Sequence, residues 1–490
     1  MSPPMTRTVR RTAVVVAALF GALLIHLNVL QTVRAEQLNA RADNARVLIK
    51  EYDTQRGPIL VGEQAVASSV ETKGRYRYLR VYSEGPRYAP ATGFYSIVYG
   101  STGIERAEND VLSGNDDRLF SQRVGDVLAG RDKQGGSVAL TLDAAAQAAA
   151  FDGLRGQAGA VVALDPNTGA ILAMATSPSY DPNQLTSHDP AGIRATYERL
   201  KSDPADPLLN RAIARTYPPG STFKIVDAAA ALSSGQYTLE TQIPAPATLD
   251  LPGTTATISN LNGKPCGDGS VTLIEAMRVS CNTAFANVGL TLGDDILRDQ
   301  AERFGFNASF EIPLQAATSV FPEDLTQAQT AQAAIGQFDV RSTALQMAQV
   351  TAGIANQGRV MLPYLVRELR GPDLAVLERT EPQEFGQAVT PQVALQVGVM
   401  MVDVVQNGTG KPVAIPGVTV AGKTGTAQTS PGRPPHAWFV AYAPAEAPQV
   451  AVAVVVEFGG DAGSEATGGK VAAPIAKAVI EAVLGIGARG

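Results

Sequence analysis

Ser221 and Lys224 stand three residues apart in the stretch Tyr217-Pro218-Pro219-Gly220-Ser221-Thr222-Phe223-Lys224. Two prolines and a glycine cannot continue a helix, whereas the chain from Ser221 to Leu232 is rich in helix formers, so a helix is expected to open at or near Ser221. At that spacing the amine falls on the face of the hydroxyl, one turn on and within its reach. Such a pair is a nucleophile beside a base, provided the amine is neutral. A free lysine titrates at about 10.4, so half-neutrality near pH 7 needs a drop of roughly 3 units, about 4 to 5 kcal/mol, which near-complete burial or a second cation must supply. Amides at the helix mouth favour negative charge developing on the serine oxygen. The plain alternative is a serine N-cap followed by a solvated lysine.

The elements around the pair are legible from patterning. Ser137–Leu142 reads as a strand and Asp143–Leu154 as a helix capped by Asp143. Gly159–Leu164 and Ala170–Ala175 are apolar strands joined by Asp165-Pro166-Asn167-Thr168-Gly169, a hairpin by its turn chemistry. A polar, proline-punctuated connection, 176–216, leads into the Ser221 helix. A second helical region, Asp268–Leu292, contains Ser280-Cys281-Asn282, and helical pattern continues with breaks through 327–357 and 391–406. The chain closes with strands at Val418–Thr426, Ala437–Tyr442 and Val450–Phe458 and a helix from Val471 to about Leu484. Strands at both ends with helices between predict an antiparallel sheet completed by distant segments, an α+β fold.

Composition narrows the function. With 490 residues, two folded units plus an anchor or linker are expected. A net charge of −6 argues against a nucleic-acid partner. The histidines stand at 26, 188 and 436 and the cysteines at 266 and 281, with neither H-x-x-x-H nor C-x-x-C, so no protein-ligated metal and no cofactor are expected. No G-x-S-x-G elbow surrounds Ser221, which disfavours a Ser-His-Asp triad. Thr12–Val33 holds about 22 residues without a charge, long enough to cross a bilayer, and Arg7, Arg10 and Arg11 before it place the amino terminus in the cytoplasm. A signal peptide cleaved near Val33-Arg34-Ala35 is the rival; under either reading the rest is exported. Residues 36–49 read as a short amphipathic helix. From Arg56 to about Gly130, short β-type runs such as 76–82 and 93–99 suggest a pedestal with no catalytic cluster.

Ser221-x-x-Lys224, Ser280-x-Asn282 and Lys423-Thr424-Gly425 follow in the order S-x-x-K, S-x-N, K-T-G, at a helix start, between helices and on a late strand. Each triplet is weak alone, but together they form the signature of penicillin-binding proteins and class A β-lactamases. The chain resembles the penicillin-binding proteins along nearly its whole length: Gly159–Asn183 is similar to the opening of their transpeptidase domain, Arg56-Gly57-Pro58-Ile59 to the R-G-x-I of the class B pedestal, and Gly103–Asp110 to a later pedestal stretch. The acidic and asparagine residues usually found after R-G-x-I are missing. The compact pedestal resembles that of the actinobacterial penicillin-binding protein A branch, and roughly 120 residues between anchor and hairpin leave no room for a class A glycosyltransferase. The resemblance implies a transpeptidase fold, with an antiparallel sheet sandwiched by helices, a β-rich pedestal and one transmembrane helix. The implied division is a cytoplasmic tail 1–11, anchor 12–33, pedestal 34–155 and penicillin-binding domain 156–490.

It further implies a D,D-transpeptidase that cross-links peptidoglycan stem peptides ending in D-Ala-D-Ala and is acylated by β-lactam antibiotics. Ser221 would be the nucleophile, Lys224 its base, Ser280 a proton shuttle and Lys423 the second cation. Backbone amides of Ser221 and Thr426 would form the oxyanion hole, Asn282 would hold the donor amide, and Lys423, Thr424 and Thr426 the terminal carboxylate. Gly425 would let substrate backbone approach the strand. A SEDS-type glycan polymerase or division proteins are the implied partners, at the plasma membrane, single-pass, with the catalytic domain outside. Cys266 and Cys281, if exported, are expected to pair, closing a loop of about 15 residues worth roughly 3 kcal/mol and bracing Ser280 and Asn282; two buried thiols are the alternative. A D,D-carboxypeptidase, a β-lactamase-related sensor and a non-catalytic wall scaffold share parts of this pattern. The first is usually anchored at its other end, the second lacks an E-x-x-L-N carboxylate here, and the third has no need of complete motifs.

Overall fold

The structure is a computed structural model that describes residues 4–29, 51–120, 124–125, 128–310, 312–429 and 432–486. The helix expected over 36–49 and the end of the anchor expected over 30–33 lie outside these residues. The apolar segment is helical, as α1 (Pro4–Asn28), and its window Val9–Asn28 is long and apolar enough to cross a membrane. It opens earlier than residue 12 because the preceding arginines and threonines are compatible with helix although not with hydrocarbon.

In chain order the elements that matter for the site are β1 (Ile59–Val61), β2 (Gln64–Glu71), β3 (Tyr78–Tyr82), β4 (Ser137–Leu140), α2 (Ala144–Gly153), β5 (Gly159–Leu164), β6 (Ile171–Ser177), α3 (Lys224–Ser233), α4 (Leu273–Val279), α5 (Asn282–Leu292), α6 (Ala344–Ala355), β7 (Val366–Arg370), β8 (Val376–Arg379), α7 (Pro391–Gln406), β9 (Ala421–Ala427), β10 (His436–Ala443), β11 (Val450–Val456) and α8 (Gly468–Val483).

Five strands in the order β9-β10-β11-β5-β6, all antiparallel, form the central sheet. The expected hairpin is its β5–β6 pair, with Gly169 at φ +82° closing the turn and the Asp165 carboxylate accepting from the Asn167 amide at 2.9 Å. The late strands are continuously apolar because both faces are covered. Val162, Val440, Ala453 and Val455 pack into one core with Leu345, Met347 and Ala348 of α6, while Val161, Phe439, Val452 and Val454 pack into a second with Ala146 and Ala150 of α2 and Ala476, Val479 and Ile480 of α8. Asp143 caps α2 as expected, accepting from the Ala146 amide at 2.8 Å. Thus α2, expected within the pedestal 34–155, packs against the late strands and α8.

The pedestal is less purely β than its tyrosine-rich text suggests. Its six-stranded sheet, β8-β7-β4-β1-β2-β3, is completed by two strands from beyond residue 365, and β1 and β4 run parallel. The run 93–99 is not a strand: only Tyr95 and Ser96 pair, with Gly100 and Ser101, after a helix Gly85–Thr92. Gly93 at φ +67° breaks the alternation, since a Cβ there would lie 2.2 Å from the Thr102 carbonyl oxygen. The two pedestal stretches that resemble family sequence meet in space, because Arg56 Nε donates to Glu105 Oε2 at 2.6 Å and Arg80 Nε to Glu105 Oε1 at 2.6 Å, all three residues being buried.

Candidate active site

Ser221 does not begin the α-helix itself. It sits in a 3₁₀ turn, Gly220–Thr222, and α3 opens at Lys224. The first turn tightens because the Phe223 amide reaches back only to the Gly220 carbonyl, at 2.9 Å. Gly220 takes φ +53°, and a Cβ there would lie 2.8 Å from the Thr426 carbonyl oxygen; its amide donates to Gly336 at 2.9 Å. The Ser221 turn is thereby wedged between β9 and the residues after 334. Trp438 Nε1 donates to the Pro218 carbonyl at 3.0 Å, and the Tyr217 hydroxyl to Glu457 at 2.8 Å, which fixes the approach to the turn.

Lys224 is fully buried, at 0 % exposure. Its Nζ donates to the Ser280 carbonyl at 2.9 Å and to Asn282 Oδ1 at 2.7 Å, with Ser280 Oγ farther off at 3.4 Å. Lys423 Nζ, equally buried, donates to Ser280 Oγ at 2.8 Å and to the Thr424 carbonyl at 2.9 Å. The three motifs therefore meet in one place, with the Ser280 hydroxyl between two amines. Burial, then the neighbouring Lys423 cation, holds Lys224 well below the ordinary lysine value, with Asp227 opposing. Burial alone brings Lys423 down to about 7. Both devices that a neutral Lys224 requires are present together.

Two expectations are revised. Among the described residues no hydrogen bond joins Lys224 to the Ser221 hydroxyl; the amine is turned toward Ser280 and Asn282. The glycine at 425 is demanded first by the chain's own packing, because a Cβ there would lie 2.8 Å from Trp438 Cβ and 2.9 Å from Thr222 Cγ2. The Ser221 turn occupies the space that a side chain would need. Thr424 is buried with its hydroxyl 2.7 Å from that of Thr409, while Thr426 is part-exposed. β9 is an edge strand of the sheet, paired only with β10 among the described residues.

Ser280 itself takes φ 59°, ψ 43° at the end of α4, an uncommon conformation for a residue with a side chain. The bend turns its hydroxyl toward Lys423 and starts α5 immediately after. Cys281 and Cys266 are disulfide-bonded, with Cα atoms 6.3 Å apart. The pairing expected from export is therefore present, and it fastens the second motif to the loop before α4. His436 takes no part in the cluster: it is buried, its Nδ1 accepts from the Phe458 amide at 3.2 Å, and burial lowers its pKa to about 4. Among the described residues no group of three or more His, Cys, Asp or Glu could hold a metal ion.

Comparison with known proteins agrees with this geometry. The profile of the penicillin-binding protein transpeptidase domain matches residues 159–481, and that of the penicillin-binding protein A dimerisation domain residues 56–138. The chain belongs to the penicillin-binding protein transpeptidase family. A relative from Mycolicibacterium smegmatis named peptidoglycan D,D-transpeptidase PbpA is 49% identical over 490 residues, spanning 98% of this chain and 99% of that protein. Its namesake from Mycobacterium tuberculosis is 48% identical over the same coverage. The solved structure of penicillin-binding protein A from M. tuberculosis as a ceftriaxone acyl-enzyme complex superposes with a TM-score of 0.87 at 48% identity, covering 89% of this chain and 100% of that one. The corresponding penicillin G acyl-enzyme complex gives 0.84 at 49% identity, covering 88% and 100%.

Several residues in this family member's crevice carry no signal in the sequence. Thr409 and Asn260 reach the site from loops. Asp227, one turn after Lys224, is fully buried, and among the described residues neither carboxylate oxygen has a hydrogen-bond partner; burial raises its pKa well above the usual range, and Lys224 opposes this. Its helical spacing from Lys224 was visible, but nothing in an alanine-rich run marked it as buried.

Proposed function

We propose that this chain is a peptidoglycan D,D-transpeptidase in which Ser221 is the acyl carrier. The observation that carries the reading is the convergence of Lys224 and Lys423 on the Ser280 hydroxyl beside the Ser221 turn, at 3.4 and 2.8 Å. A neutral Lys224 amine has two N–H groups, matched by its two short bonds to carbonyl oxygens, and keeps its lone pair for a hydroxyl proton. Ser221 Oγ attacks the carbonyl of the penultimate D-Ala as its proton passes to Lys224. The oxyanion is received by the amides of Ser221 and Thr426, each donor worth about 3 to 4 kcal/mol. The proton reaches the leaving D-Ala amine through Ser280, with Lys423 as the neighbouring cation. An acceptor amine from a second strand then attacks the acyl-enzyme, and its proton returns to Ser221 Oγ through the same amine and hydroxyl groups as the Oγ–acyl bond breaks. Asn282 positions the donor amide, and Lys423, Thr424 and Thr426 receive its carboxylate, with the peptide laid along β9. β-Lactams acylate the same serine.

α1 is the single-pass plasma-membrane anchor in this reading, with the pedestal and catalytic domain outside and a SEDS-type glycan polymerase or division proteins as partners. Mass spectrometry after incubation with penicillin and, separately, with a thioester mimic of the stem peptide tests the chemistry. Both adducts are expected on Ser221, with transfer of the acyl group to an added amine. Ser221→Ala is expected to abolish labelling with its melting temperature unchanged. An adduct on another residue overturns the assignment, and release to water alone indicates a carboxypeptidase.

A further inference from the structure

The helix that carries Asn282 lacks a cap of its own. Cys281 occupies the N-cap position of α5, and its side chain makes no capping bond. The first amides of a helix need partners from elsewhere, all the more where Cys281 and Thr283 are buried at 1 % and 0 % exposure. The partner comes from 22 residues earlier: Asn260 Oδ1 accepts from the Asn282 amide at 3.0 Å and from the Thr283 amide at 3.1 Å. The same oxygen takes the Thr283 hydroxyl at 3.3 Å. On its other side Asn260 Nδ2 donates to the Pro246 carbonyl at 3.0 Å and the Lys264 carbonyl at 2.9 Å. Asn260 is itself only 7 % exposed, so these bonds are made in a site shielded from water.

Its neighbour completes the grip, since the Ser259 carbonyl accepts from Asn282 Nδ2 at 3.0 Å. With its main chain held by Asn260 and its amide nitrogen by Ser259, Asn282 has one direction left for Oδ1, which points to Lys224 Nζ at 2.7 Å. We propose that Asn260 is a positioning residue for the second motif: by capping α5 from a distant loop it sets the height of Asn282 and Ser280 against Lys224 and Lys423. The disulfide fixes the sulfur of Cys281 but not the rotation of the turn about it, and Asn260 supplies that second point of attachment. The proposal rests on Ser221 acylation as described above and names a residue that this chemistry does not otherwise use.

Stopped-flow acylation of the detergent-solubilised full chain by a fluorescent penicillin, with thermal melting in parallel, tests this. Asn260→Leu is expected to lower the first-order acylation step at least tenfold while the apparent Kd of the preceding complex changes less than threefold. Asn260→Asp keeps an oxygen on the two helix amides and is expected to hold the acylation step within about fivefold of wild type, its lost donors appearing instead as a lower melting temperature. If Asn260→Leu gives no cooperative melt, Asn260→Ser, too short to reach the amides, replaces it with the same expectation. Acylation within twofold of wild type in the non-capping variant, or equal losses in both variants, overturns the proposal. Failure of the wild type to be labelled is a separate outcome that removes the acylation reading instead.

Discussion

Two regions of this molecule bury ionised side chains in opposite ways. In the pedestal, Glu105 is fully buried between Arg56 and Arg80, with the Tyr82 hydroxyl at 2.9 Å. Burial opposes its charge, but Arg80 and Arg56 outweigh burial and hold its carboxyl below the usual range. In the crevice, Lys224 and Lys423 are as deeply buried, and the nearby Asp227 makes no ion pair among the described residues. There burial wins, and both amines are pushed toward neutrality. Opposite charges in direct contact stay charged and serve as structure; buried amines with no carboxylate in contact are pushed toward neutrality, the state the proposed chemistry needs.

Substitutions at the centre of each region should separate these roles. Lys224→Met removes the proposed base and is expected to slow penicillin acylation by about 10²- to 10⁴-fold, the usual worth of a positioned proton acceptor. Its melting temperature should change little, because relief of a buried amine offsets the loss of its bonds to the Ser280 carbonyl and Asn282 Oδ1. Glu105→Gln does the reverse: two buried guanidiniums lose their counter-charge, at a cost of about 3 to 5 kcal/mol of stability, while the folded fraction acylates at the wild-type rate. A slower acylation step in the Glu105 variant, read by stopped flow below its melting temperature, would mean that the pedestal reaches the crevice.

Losing the disulfide is a smaller perturbation. Cys266→Ser with Cys281→Ser opens a loop with a sequence separation of 15 and is expected to cost about 3 kcal/mol by the entropic account. Denaturant melts with and without reductant check this: reductant should destabilise wild type and leave the double variant unchanged. Smaller still are the effects of pH. Because Lys224 must be neutral to act as base, acylation is expected to rise with pH on the acid side. Because Lys423 loses its charge above about 7, acylation should fall again beyond it. Stability carries the same sign information. A lysine whose folded pKa is lowered binds fewer protons folded than unfolded, so its penalty is full below about 7 and fades as pH rises toward 10.5. Lys423→Met should therefore be more stable than wild type at pH 7 and lose that advantage in alkali. Glu105, whose folded pKa is lowered, contributes stability above the ordinary glutamate range near 4.5 that is lost as pH falls through its folded value.

How far the sequence speaks for itself follows the same division between local and distant. The hairpin 159–175, the Asp143 cap and the Ser221–Lys224 pair were legible because turn chemistry, capping and helical spacing act within a few residues, whereas the motifs at 280 and 423 were legible only as parts of a family signature. The helix Pro190–Ser202 was missed, although Asp189 capping it and Pro190 in its first turn are local signals that a proline-rich text concealed. Asn260 was not legible at all, since its capping of α5 is made by contacts 22 and 23 residues away. Strands β7 and β8 were illegible as pedestal members for the same reason: the register of β7 with β4 and of β8 with β7 is set by folding, not by their short, charged sequences.

The claim on which the rest depends is that Lys224 is an unprotonated amine at the pH where the enzyme works. A ¹³Cε-lysine NMR titration of the intact protein, with the Lys224 resonance assigned by its loss in Lys224→Met, measures this directly. The account predicts a resonance that leaves the ammonium position far below pH 10.5; a Lys224 signal still in the ammonium position at pH 10 would contradict it.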